Sequence, residues 1–95
     1  HKQAVFWYTK AAEQGNSTAQ VNLGYVYKDG FGVRQNGEQA VFWYSKAAEQ
    51  GVAYAEYNLG CIYFNGEVVP QDDKQAAYWF TRAAEQGDAD SQTVL

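Results

Sequence analysis

One block of twelve residues dictates what this chain folds into: residues 4–15, AVFWYTKAAEQG, return at residues 40–51 with one change, Thr9 to Ser45. They return again at residues 76–87 as AAYWFTRAAEQG, so both intervals are 36 residues. Between the blocks a second match carries Ala19, Asn22, Leu23, Gly24, Tyr27 and Gly30 onto Ala55, Asn58, Leu59, Gly60, Tyr63 and Gly66. Of the 36 positions from 4 to 39, 20 recur identically between 40 and 75. A fixed period of this size means one supersecondary unit used repeatedly, each copy burying its apolar face against the next.

Each unit reads as two helices. Ala40, Trp43, Tyr44, Ala47 and Ala48 fall at i, i+3, i+4, i+7 and i+8, one apolar face, with Phe42, Lys46 and Glu49 opposite. Gly51 ends this helix, as Gly15 and Gly87 end its copies, by taking a left-handed conformation. Asn36 and Asp72 are N-cap residues, and Gln39 and Gln75 three places on give the capping-box spacing. The other helix of the unit is predicted from about residue 17 to 29 and ends at Gly30; its copy spans 53–65 and ends at Gly66. No stretch alternates with period two long enough to form a strand. The expected fold is all-α: a superhelix, or solenoid, of antiparallel helix pairs. Ala11, Ala12, Ala19, Gly24 and their copies allow close helix approach. Trp7, Trp43, Trp79, Leu23 and Leu59 fill the space between successive pairs.

These residues resemble the Sel-one-like repeat family, a branch of the tetratricopeptide-like helical superhelices. The family pattern, A-x-A-Q-x-x-L-G-x-x-Y-x-x-G-x-G-V followed by A-x-x-W-Y-x-K-A-A-E-Q-G, is met by residues 17–33 and 40–51, with Ser17 in place of the first Ala. It is met again by residues 53–69 and 76–87, except that Val68 stands where the second loop glycine would be and Trp79-Phe80 replaces Trp-Tyr. The resemblance implies a right-handed superhelix that serves as a scaffold or adaptor, taking a partner protein or peptide on its concave side. Near-identical KAAEQG blocks have a bacterial character within that family. Cytoplasm, periplasm and secretion all stay open.

Positions that differ between units are free to carry specificity. On the first helix of each unit, Ala55, Leu59, Ile62 and Tyr63, with Ala19, Leu23, Val26 and Tyr27, form the core stripe. The other stripe, at i, i+3, i+7 and i+10, holds Tyr54, Tyr57, Cys61 and Phe64, matched by Thr18, Val21, Tyr25 and Lys28. In the related superhelices this second stripe lines the concave groove. An aromatic groove results, with Lys28 at one side and Asp90 and Thr93 opening the next unit. Tyrosine suits such a surface because it offers large contact area and a polar tip; the alternative is that these rings pack on the neighbouring helix. Phe6, Phe42 and Tyr78 fall toward the charged outer face, either shielded by long Lys and Glu stems or forming a second contact surface.

Composition excludes more than it assigns. Eleven acidic against seven basic residues give a net charge of −4, which provides no broad basic surface for nucleic acid. No apolar run reaches membrane-spanning length. His1 is the one histidine and Cys61 the one cysteine, so neither a zinc site nor an activated thiol assembles within the chain. Gly32 to Gly37 has the spacing of a phosphate loop, but Glu38 sits where its lysine belongs and no strand precedes it. The sequence therefore points away from an enzyme and from any cofactor. A second reading makes the segment an accessory of a cell-envelope or penicillin- or peptidoglycan-related hydrolase, or of a secretion factor, although the paired cysteines of such relatives are absent.

The register divides the chain into residues 1–15, the closing helix of a preceding unit; 16–51 and 52–87, two full helix pairs; and 88–95, the start of a third. Stacking faces left without polar caps predict weak folding alone or end-to-end self-association.

Overall fold

The helices start and stop where local chemistry places their unpaired backbone groups. The computed structural model describes residues 2–30, 33–66 and 68–86, and side chains from residue 5 onward. Within them run α1 (Lys2–Glu13), α2 (Ser17–Asp29), α3 (Gly37–Glu49), α4 (Ala53–Asn65) and α5 (Asp73–Glu85). No strand occurs among the described residues. The Asn36 carboxamide accepts from the Gln39 N–H, and the Asp72 carboxylate from the N–H groups of Lys74 and Gln75. The reciprocal half of the expected capping box is replaced by a longer-range bond. The backbone N–H of Asn36 donates to the Tyr27 carbonyl at 2.8 Å, and that of Asp72 to the Tyr63 carbonyl at 3.0 Å. Each cap thus ties the start of one helix to the end of the helix before it.

The connections repeat as closely as the helices. α2 and α4 end on Gly30 and Gly66 in the left-handed region, at φ 78° and 67°, where a side chain would be strained. Gln35 then donates to the Lys28 carbonyl at 2.7 Å, and its copy Gln71 to the Phe64 carbonyl at 2.8 Å. Both bonds satisfy last-turn carbonyls that have no partner within the helix. Gly15 and Gly51 are also left-handed, in keeping with their expected role; Gly87 lies outside the described residues.

Packing makes α3 the shared element of the array. Its buried residues are Ala40, Trp43, Tyr44, Ala47 and Ala48, the face read from periodicity. Trp43 joins Ala12, Ala19 and Leu23 in one cluster. The next residue, Tyr44, joins Ala55, Leu59 and Ile62 in the other. The close approach expected at glycine is present: a Cβ on Gly24 would lie 2.8 Å from the Tyr44 ring, and one on Gly60 2.7 Å from the Phe80 ring. At Gly37, which begins α3, a Cβ would stand 2.0 Å from the carbonyl oxygen of Val68. Val68 and Val69 in turn pack against the core, which gives the departure from loop glycine a packing role.

Candidate functional site

α2 and α4 each turn one face into the core and leave the other toward solvent. On the outer side, Tyr25, Tyr54 and Phe64 are 48%, 53% and 56% exposed, large for aromatic side chains. Thr18 is exposed and lines a shallow depression with Tyr8 and Asn22. The remaining stripe residues sit deeper. Val21 packs against the core, Tyr57 lies 5.9 Å from Phe80 between ring centroids, and Cys61, a free thiol, and Lys28 are half-buried. Asp90 and Thr93 lie outside the described residues. Tyr25 and Tyr54, on different helices, both act electrostatically on Tyr44, so the first and second units contribute to one neighbourhood. Burial first, then Tyr54, Asp29 and Tyr25, hold the Tyr44 hydroxyl above its ordinary pKa. Tyr44 therefore stays neutral in the core.

The outer face of α1, α3 and α5 repeats a different pair. Lys10 lies over Phe6 at 5.2 Å, Lys46 over Phe42 at 5.4 Å and Arg82 over Tyr78 at 5.6 Å from the ring centroids. Spacing i to i+4 places cation and ring on adjacent turns, and the ring's negative face draws the cation over it. The cation covers one face of each ring, yet Phe6, Phe42 and Tyr78 remain 52%, 47% and 50% exposed.

A polar contact inside the array escaped the sequence reading. Glu56 is fully buried; Arg82 Nε donates to its Oε2 at 3.0 Å, and Gln86 Nε2 donates to its Oε1. Arg82 Nη1 also donates to the Tyr78 hydroxyl at 3.1 Å. The bonds to Glu56 and then Tyr78 raise the Arg82 pKa, fixing its charge. In the preceding unit the same position is Gln20, also buried. Gln20 Nε2 donates to the Ala12 carbonyl at 3.0 Å, and Gln50 donates to Gln20 Oε1 at 2.9 Å. The available signal was a paired change between units: Gln20 becomes Glu56 where Lys46 becomes Arg82. Among the described residues, no three His, Cys, Asp or Glu side chains converge as a metal site, and no helix is long and apolar enough to cross a membrane.

Capped helix pairs, stacked through Trp43, Tyr44 and Phe80 at a 36-residue interval, define a helical-repeat solenoid. The chain belongs to the Sel1 repeat family, whose model matches residues 1–16, 17–52 and 53–88. Three solved structures superpose on it with a TM-score of 0.88 each. A Sel1 repeat protein from Oxalobacter formigenes is 40% identical, the match covering 98% of this chain and 38% of that one. A protective antigen of uropathogenic Escherichia coli strains, displaying an SLR fold, is 43% identical over 95% of this chain and 19% of its own. Helicobacter pylori cysteine rich protein B is 28% identical over 100% of this chain and 72% of its own. The chain thus spans well under half the length of the first two. No curated protein matches the sequence. Sel1 repeats are in general helical scaffolds for protein–protein interaction, typically without enzymatic activity.

Proposed function

We propose that this chain is a protein-binding scaffold segment whose α2 and α4 stripe receives an extended or helical peptide. The observation that carries the reading is the exposure of Tyr25, Tyr54 and Phe64 on helices whose opposite faces are buried. Exposed aromatic side chains on these two helices favour a partner that desolvates them. Thr18, Val21, Tyr57, Cys61 and Lys28 complete the stripe, with the half-buried members shaping its floor. The segment acts by binding and not by catalysis.

Selection of a peptide library on the folded protein tests this. Peptides so isolated lose roughly tenfold or more in affinity for a Tyr25→Ala, Tyr54→Ala, Phe64→Ala triple variant, whose helicity stays that of the parent. Retained affinity in the triple variant moves the binding surface elsewhere. Saturable binding of a peptidoglycan fragment, with no peptide selected, supports the cell-envelope reading instead.

A further inference from the structure

The two units differ at a buried polar position, Gln20 in the first and Glu56 in the second, and a half-open pocket lies beside Gln20. In the second unit the Arg82 guanidinium lies 5.7 Å from the Trp79 ring centroid and 5.6 Å from that of Tyr78, with Glu56 accepting at its base. In the first unit the aromatic walls remain as Trp43 and Phe42, but the base is Gln20 and the cation is Lys46. A lysine has no planar fork to meet a carboxamide, and its Nζ rests over Phe42 instead. A cavity of ≈ 480 Å³ remains, lined by Glu13, Gly15, Gln20, Phe42, Trp43 and Lys46 among others. That volume falls within the roughly 300–1,000 Å³ of small-ligand sites.

The chemistry of the lining selects a cation. α1 ends at Glu13, with Gly15 just beyond it; the Gly15 carbonyl accepts from Gln50 at 3.0 Å, and the carbonyl dipoles of the helix end favour positive charge. Glu13 adds a carboxylate. Gln20 Oε1 accepts one bond, from Gln50, and a carbonyl oxygen has room for a second. Flat aromatic walls favour a planar guanidinium over a compact ammonium. Lys46 opposes this with its own charge and cancels that of Glu13, so the preference rests on the aromatic walls, the end of α1 and Gln20 Oε1.

We infer that this cavity is a guanidinium-binding site, taking the side chain of an arginine from a partner peptide in the place that Arg82 fills internally in the next unit. Of the stripe proposed for peptide binding, it contains no residue, so either assignment stands or falls alone.

The test uses three small probes on the folded protein: N-acetyl-arginine amide, its neutral isostere N-acetyl-citrulline amide, and N-acetyl-glutamate amide. Binding is followed by NMR at the Trp43 indole and the Gln20 carboxamide. The arginine probe shifts both saturably in the millimolar range, and citrulline binds roughly tenfold more weakly, the loss of one charge-assisted contact. Lys46→Met tightens the arginine probe by removing the like charge. The pair Gln20→Glu with Lys46→Arg, which copies the next unit, abolishes binding while circular dichroism stays that of the parent. Absence of saturable shifts, equal binding of citrulline, or preference for the glutamate probe overturns the assignment. Should the pair variant misfold, unchanged or weaker arginine binding in Lys46→Met overturns it as well.

Discussion

Tyr44 and Phe80 occupy the same place in successive units and differ by one hydroxyl. Burial, followed by the influence of Tyr54, Asp29 and Tyr25, keeps the Tyr44 proton on beyond the ordinary tyrosine range. In the unfolded chain the same phenol ionises near its ordinary value of about 10. Stability from this group is thus fully present below that value and is lost as pH rises above it. Tyr44→Phe, which copies the second unit, should flatten the alkaline fall in melting temperature; an identical alkaline profile in the two proteins would contradict this. At Glu56 the contribution is a matched pair. Arg82→Met should lower the melting midpoint, because it leaves a buried carboxylate with only Gln86 as its described partner. Combining Arg82→Lys with Glu56→Gln, the arrangement of the first unit, should recover most of that loss. A double variant no more stable than Arg82→Met would show that the pairing is not what matters. The Glu56 pairing was not readable from hydrophobic periodicity, which places Tyr44 on the buried face but reports only apolar positions and says nothing of a buried glutamate.

Between residue and fold stands the helix pair, and this is the level at which the sequence was most legible. Apolar spacing placed the buried face of α3, and the glycines after α2 and α4 marked their ends. The start of α2 was less visible: the Asn16 carboxamide accepts from the Ala19 N–H at 2.9 Å, whereas its copy Val52 caps nothing with its side chain and packs on the core instead. An N-cap and an apolar contact exchange places, so no shared motif announces either. Close approach was legible because Gly24 and Gly60 sit inside helices, where glycine otherwise lowers stability. Gly60→Ala gains up to about 1 kcal/mol in helix propensity but drives a methyl into Phe80, an overpacking cost of typically 1–3 kcal/mol, taken as about that here. The net effect should be destabilising, measured as a lower urea midpoint; a raised midpoint would mean that Phe80 yields freely. Trp43→Ala should cost about 3–5 kcal/mol, since Trp43 is 8% exposed and seals α3 onto α1 and α2.

At the scale of the whole array, equivalent positions should be equally buried wherever stacking is complete, and Trp7 breaks the pattern. It is 64% exposed, whereas Trp43, one period later, is 8% exposed. The same indole that packs α3 against α1 and α2 therefore stands open on α1, beside the exposed Phe6 ring. Repeat arrays gain stability from nearest-neighbour interfaces, so this face is suited to the stacking surface of another unit. In a solution of this chain alone, a second copy is the available source of one. Association of this kind binds the folded state and not the unfolded one, which makes the melting midpoint rise with protein concentration. Trp7→Gln should remove most of that dependence while leaving the dilute-limit midpoint nearly unchanged, because the native indole has little burial to lose. Sedimentation equilibrium provides the independent check, with the mass-average rising with concentration for the parent and remaining monomeric for the variant. A parent that melts at one temperature across all concentrations would instead assign Trp7 to a partner other than this chain. The sequence located Trp7 by its period, but periodicity makes all three tryptophans look alike; only the packing separates Trp7, which is open, from Trp43, which is buried, and Trp79, which is half-buried.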